Sequence, residues 1–341
     1  MMKAAYVTDV KKVEIKEIDR PKITADDVLI EVATAGVCGS DLHLFVGTHA
    51  FRKPPAILGH EVAGTVIEVG QNVTDVKIGD RVTVEPHLGC GECEFCKQDL
   101  VNICDHKSAP GTPSWIGTFV EYFPAPAKTI YKLNDSVSFA MGTMIEPLAV
   151  AVHAIRRISV PDKNCLVILG AGTIGLLALV VAKQLGYKNV VCTDTAPFNR
   201  EMALAHGAAL ALDPLTEDVV GKVKELTGGK GADVALVAAG APNIVDQASL
   251  CVKKRGEVGL VAMITKEIPV YTYNFVFNEQ TLFGCMTYET KDFKEATDMI
   301  NNGLDLTRFV TQVVDLTDSQ YGLQILSEKK EPVVKVLVKV K

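Results

Sequence analysis

Positive charge is not in surplus: 35 lysines and arginines face 41 aspartates and glutamates, leaving a net charge of −6 at pH 7. That balance gives no electrostatic reason to expect capture of nucleic acid or of an anionic membrane surface. No internal repeat and no low-complexity stretch occurs, which sets aside solenoids and disordered linkers. The opening MMKAAYVTDVKKVEIKEID alternates charge with β-formers and holds no apolar h-region, so no secretory signal is expected. The nine cysteines are odd in number, and without a signal a secreted disulfide framework is not expected; reduced thiols in the cytoplasm are. The one long apolar run, residues 165–186, has its glycines clustered at one point. They divide it into a short strand and a helix, so a membrane span is not expected either.

What is present suits a sizeable core. The 341 residues are 48% hydrophobic and 22% charged, enough for two domains. The first part is β-rich: VEIKEID, DVLIEVATAG, AGTVIEVG and DRVTVEP are short alternating or β-branched runs between Pro, Gly and Asp turns. From about Asn164 the texture changes to strand–helix alternation: VILG, IGLLALVVAKQLG, NVVCTD, REMALAHGA, VVGKVKELTG, DVALVAAG, NIVDQASLCVK, GEVGLVAM. Alternation at this pitch predicts an α/β fold with a doubly wound parallel sheet. After Phe283 a helix, KDFKEATDMINNG, and short strands ending in PVVKVLVKV are expected to return to the first domain.

Cys90, Cys93, Cys96 and Cys104 fall within one loop-like stretch, CGECEFCKQDLVNIC. Four thiolates at those intervals close a tetrahedron around Zn²⁺ without help from distant parts of the chain. GAGTIG follows the strand LVIL and opens a helix, the context a dinucleotide fingerprint requires. Gly170 permits the tight turn, Gly172 lets the backbone approach a pyrophosphate, and Gly175 permits close helix–strand packing. With Ile174 these residues are the candidate phosphate contacts, at a helix N-terminus that favours anions. Asp194 ends the next strand, where its carboxylate accepts from both ribose hydroxyls and repels a 2′-phosphate, so NAD is expected over NADP. Arg200 lies close by as a further cofactor candidate.

Cys38 and the pair His60–Glu61 supply a thiolate, an imidazole and a carboxylate, and Glu146 in IEPLAVAVH supplies another carboxylate. One Cys, one His and one carboxylate with an exchangeable position make an open, Lewis-acidic zinc site, unlike the closed cysteine cage. His153 is expected in a helix core, His49, His87, His106 and His206 at structural or surface positions, and Trp115 in packing.

The segment GHEVAGTVIEVGQNV, the run Cys38-Gly-Ser-Asp with His43, GDRV, the four-cysteine loop and EPLAVAVH stand together in one order. In these motifs the chain resembles the zinc-containing medium-chain dehydrogenases over essentially its whole length, and within them the sorbitol (polyol), butanediol and threonine branch. The resemblance implies a GroES-like catalytic domain over residues 1–152 with a structural zinc lobe near 86–106. It implies an inserted Rossmann NAD-binding domain over 153–288 and a C-terminal return over 289–341. It also implies two zinc ions per subunit, the catalytic one held by Cys38, His60 and either Glu61 or Glu146, the structural one by the four cysteines. A secondary alcohol of polyol, diol, cyclitol or sugar-acid type would lose its proton at the metal and a hydride to NAD, with Ser40 and His43 relaying the proton outward. The rival substrates are threonine and 2,3-butanediol, and a rival of another class is a non-catalytic dinucleotide-binding zinc protein. A homo-oligomer is implied, a tetramer before a dimer. Leu44 and Thr287 stand where animal sorbitol dehydrogenases carry a Tyr and an Arg that hold the polyol, which counts against sorbitol itself; Tyr288 is kept.

Overall fold

The computed structural model describes residues 1–49, 52–328 and 330–341. Its backbone gathers into two compact units, residues 1–146 with 289–341 and residues 147–288.

The first unit is built on the strand Asp27–Gly36, in which Val28, Leu29, Ile30, Val32 and Ala35 are fully buried. It pairs antiparallel with Glu61–Val69 along one edge, and with Tyr122–Pro126 and Lys335–Lys339 along successive parts of the other. Strands Arg81–Val84 and Ile130–Lys132 extend the sheet one way and Val310–Asp315 the other. Antiparallel pairing fixes which side chains share a face, and it sets Gly36 opposite both Glu61 and Leu337. Gly36 must be glycine here, because a Cβ would stand 1.7 Å from Glu61 Oε2. Beneath the sheet lies a core that includes Ile30, Val32, Val62, Val66, Val82 and Phe123. Each such side chain contributes about 1.5–3 kcal/mol by leaving water. Trp115 belongs to this core, stacked on Phe123 at 5.7 Å with its Nε1–H donating to the Pro124 carbonyl at 2.8 Å. A three-stranded sheet with Met2–Asp9 at its centre completes the unit.

The second unit is a six-stranded parallel sheet in the order Leu210–Leu212, Asn189–Thr193, Cys165–Leu169, Ala232–Val237, Val252–Leu260, Thr281–Gly284. Parallel neighbours need crossovers, which helices such as Thr173–Gln184 and Val219–Leu226 provide. The chain starts at the central strand, winds outward one way, returns, and winds the other way. The reversal lies between Cys165–Leu169 and Ala232–Val237, and ligands bind outside the carboxyl ends of strands at such a point. Cys165, Cys192 and Cys251 are buried here as free thiols, each pushed up to about 12 by burial, and are therefore inert. Among the described residues no helix is long and apolar enough to cross a membrane.

Candidate metal centres and nucleotide loop

Two turns of the first unit are tied together by one carboxylate. Asp41, wholly buried in the helix Gly39–Phe45, accepts the Cys38 N–H at 3.0 Å and the Gly59 N–H at 3.1 Å. Its Oδ1 also lies 3.9 Å from His60 Nδ1. Gly59 makes the second turn at φ +91°, where a Cβ would meet Thr118 Oγ1 at 2.3 Å. Glu61 then opens its strand facing inward. The outcome is a triplet: ligand atoms of Cys38, His60 and Glu61 all lie within 4.8 Å of one another.

Glu146, buried in the first turn of the helix Ile145–Arg156, is outside that triplet but feels His60, Glu61 and Cys38 electrostatically. Burial pushes its carboxyl up to about 8; His60 opposes that rise, and the like charges of Glu61 and Cys38 add to it. The Cys38 thiol is likewise raised to about 11, by burial and then by Glu61. Acidic groups crowded and dried in this way ionise together only with positive charge among them. One buried atom of the triplet, His60 Nδ1, is also left without a hydrogen-bond partner, and Glu61 Oε2 has only the Lys335 ammonium against it. A thiol, an imidazole and a carboxylate converging in this way, with an imidazole nitrogen left unpartnered, fit a divalent ion of zinc type.

Two neighbours were not expected from the sequence. Lys335, only 2% exposed, donates to Glu61 Oε1 at 2.6 Å, contacts Oε2, and donates to the Val37 carbonyl at 3.0 Å. Burial opposes its charge, but Glu61, Cys38 and Glu146 outweigh that and hold it protonated. The only sequence signal was a lysine set among the valines of the last strand. His87 was read as structural or surface, yet burial, then Lys107 and His60, lower its imidazole to about 3, which sets it within electrostatic reach of the centre. Ser40 and His43 share a face of the helix Gly39–Phe45, and His43 Nδ1 meets the Thr48 hydroxyl at 3.0 Å. Leu44 is fully buried in the core, and Tyr288 is 1% exposed.

The cysteine lobe forms a second cluster. All four sulfurs lie within 4.8 Å of one another. The Cys93 N–H points at the Cys90 sulfur and the Cys96 N–H at the Cys93 sulfur, both at 3.4 Å. Paired bonds between Leu88 and Ser108 close the base of the lobe. The thiols pull one another apart in titration: the N–H groups of Glu92 and Cys93 lower Cys90 to about 6. At Cys96 the Gly91 N–H favours the thiolate, but desolvation and the neighbouring thiols prevail and raise it to about 12. Four thiolates coexist at this distance only around a cation, and a four-sulfur tetrahedron is a closed structural zinc set.

In the second unit the glycines behave as three different devices. Gly170 turns at φ +107° against Ala239, and a Cβ on Gly175 would stand 1.9 Å from the Gly170 carbonyl oxygen. A Cβ on Gly172 meets nothing within 4 Å, so that side of the loop is open. Ile174 follows, half-buried in the first turn of the helix. Asp194 Oδ2 accepts the Ala171 N–H at 2.9 Å and the Asn199 side chain at 3.2 Å, and its Oδ1 accepts the Ala196 N–H at 2.9 Å. Arg200 donates to the carbonyls of Asp194 and Thr195 and pairs with Asp213 at 3.3 Å.

Residues 24–135 match the alcohol dehydrogenase GroES-like domain and residues 173–302 the zinc-binding dehydrogenase domain. Sorbitol dehydrogenase of Bacillus subtilis (strain 168) is 32% identical, covering 99% of this chain and 97% of that protein. L-threonine 3-dehydrogenase of Caldanaerobacter subterraneus subsp. tengcongensis is 34% identical, covering 91% and 90%. Among solved structures, a putative zinc-binding dehydrogenase from Sinorhizobium meliloti 1021 bound to NADP superposes with a TM-score of 0.90 at 29% identity, covering 100% of this chain and 99% of that one.

Proposed function

The chain belongs to the zinc-binding alcohol dehydrogenase family, and from that premise we propose that it oxidises a secondary alcohol on a small polyol, diol, cyclitol or sugar acid to the ketone, with NAD as acceptor. The observation that carries this reading is the Cys38–His60–Glu61 triplet, a thiol, an imidazole and a buried carboxylate whose ligand atoms converge within 4.8 Å. When bound, zinc supplies a Lewis acid that lowers the pKa of an alcohol oxygen, and the nicotinamide supplies a hydride acceptor.

The chain's own residues do the rest. Cys38 and His60 anchor the ion, and Asp41 fixes both of their turns, the outer-shell support that a metal ligand needs. Glu61 and Glu146 are two carboxylates on one centre, and Glu61 is the one within the triplet. His43 and Thr48, in hydrogen-bond contact, with Ser40 on the same helix, supply hydroxyl and imidazole groups suited to carrying a proton outward. The four cysteines hold the second zinc in a role confined to stability.

For the cofactor, Gly170, Gly172, Ile174 and Gly175 cradle the diphosphate and Asp194 receives the adenosine ribose. A carboxylate has about four acceptor sites, and three donors already engage Asp194. Arg200 is committed to backbone carbonyls and to Asp213, which favours NAD over NADP. Threonine is the second substrate reading, favoured by the 34% identity to a threonine 3-dehydrogenase. Assembly into a homotetramer belongs to the same proposal, supported by the exposed edge strand Thr281–Gly284 and the exposed Tyr273, Val276 and Phe277 near it.

The test is a screen of alditols, diols, inositols, sugar acids and threonine with NAD⁺ and NADP⁺, read as reduced-nucleotide absorbance beside zinc content. Turnover with NAD⁺ and a secondary alcohol is expected, abolished in Cys38→Ala together with one of two zinc ions. A folded Cys38→Ala protein that keeps full turnover ends the proposal.

A further inference from the structure

The least expected group at the metal centre is a cation, because a site built to hold a divalent ion gains nothing in affinity from a buried ammonium beside it. Lys335 is nonetheless wholly enclosed and engages both oxygens of Glu61, with its third contact on the carbonyl of Val37, the residue before Cys38. As a stability device this arrangement is poor: two charges lose their hydration, and well-packed apolar side chains of similar volume serve as well or better. Val334 before it and Val336, Leu337 and Val338 after it are buried and apolar, so the chain carries apolar side chains on either side of the position. The charge at 335 therefore calls for a reason at the site.

We propose that Lys335 is a positioning residue that keeps Glu61 an exchangeable partner of the metal, by competing with the ion for the same carboxylate. Glu61 offers a ligand atom to the Cys38–His60 pair, and the Lys335 ammonium lies 2.6 Å from its Oε1. With Lys335 in place, the ammonium neutralises the same carboxylate charge that would draw Glu61 onto the ion, so the hold of the ion on Glu61 is weakened. The carboxylate moves between two cations at little net cost, and the ion keeps a position open for a substrate oxygen. Without Lys335, Glu61 is a buried anion with one cation left to satisfy it, so it closes on the ion and stays. The proposal rests on the metal-centre reading above and adds to it the control of one ligand.

The experiment compares wild type, Lys335→Met, Lys335→Arg and the double variant Glu61→Gln/Lys335→Met. It reads zinc release to a chelator and the visible spectrum of the cobalt-substituted protein, with turnover as a third measure. Lys335→Met is expected to release the Cys38-dependent ion roughly tenfold more slowly, the reverse of the about tenfold to hundredfold loss of affinity that removing an outer-shell support usually brings, with altered cobalt bands and reduced turnover. Lys335→Arg, which keeps the charge, is expected to restore all three towards wild type. Glu61→Gln in the Lys335→Met background is expected to abolish the slow release. Wild-type release and cobalt spectrum in Lys335→Met overturn the proposal, as does slow release that survives Glu61→Gln. If Lys335→Met does not fold, Lys335→Gln keeps a polar contact to Val37 without the charge and gives the same readouts. Failure of the underlying reading shows separately, as a wild-type protein whose zinc count does not change in Cys38→Ala.

Discussion

Gly172 separates folding from binding at the nucleotide loop, and Gly172→Ala is the perturbation that uses this. The residue sits at φ −74°, ψ −169°, extended backbone that alanine adopts freely. A methyl there meets no protein atom within 4 Å. Replacing glycine at a compatible site restricts the unfolded chain and contributes about 0.4–1 kcal/mol of stability, so the variant should melt at the wild-type temperature or slightly above. On the proposed cofactor placement, the open side of Gly172 is nonetheless where the diphosphate approaches the backbone. A methyl in that space forces overpacking against the phosphate, about 1–3 kcal/mol if it behaves as in a protein core. At about 1.4 kcal/mol per tenfold, NAD⁺ affinity should fall roughly tenfold to a hundredfold. Calorimetric titration of NAD⁺, with melting curves and zinc content as controls, measures all the terms. Gly175→Ala is the contrast: its Cβ strikes the Gly170 carbonyl at 1.9 Å, so stability and binding should fall together. Wild-type NAD⁺ affinity in a folded Gly172→Ala protein refutes the placement of the diphosphate.

Two further outcomes follow from the first unit. Cys96→Ala should lower the melting temperature and remove one zinc while the remaining folded protein keeps its substrate KM; an unchanged melting temperature with two zinc ions retained counts against a structural lobe. Glu85 is buried and accepts from the Tyr131 and Thr290 hydroxyls at 3.1 and 2.8 Å, and burial outweighs those bonds to raise its pKa. Its protonated form is therefore favoured in the fold, so the stability it contributes is complete below the ordinary glutamate pKa and is lost as pH rises through the raised value. Glu85→Gln mimics the protonated form and should flatten that decline in melting temperature above pH 4.5; an identical pH profile in the two proteins argues against it.

What was legible in the sequence was whatever chemistry is local. Cys90 to Cys104 span fifteen positions, and four sulfurs that close in a single loop need no distant partner to bring them together. The glycine loop was legible for a related reason. Gly170 and Gly175 are dictated by one turn and by the helix it opens, so strand, glycines and helix in succession imply the geometry. His60 and Glu61 were legible as donors, but the sequence left Glu61 and Glu146 as alternatives, since the distance of a side chain from Cys38 depends on strand register.

Register is what the tertiary structure decided. Pairing of Gly36 with both Glu61 and Leu337 brings Lys335 against Glu61 across 274 positions of sequence, a contact no local pattern records. The same holds for Asp194, whose strand end meets the Ala171 N–H from a neighbouring strand's loop, and for Arg200, which the fold spends on backbone carbonyls. Residue type and spacing set which chemistry the chain is able to perform. Which charges neutralise one another, and which are left facing an open site, is fixed only when strands far apart in sequence are laid side by side and water is driven from between them.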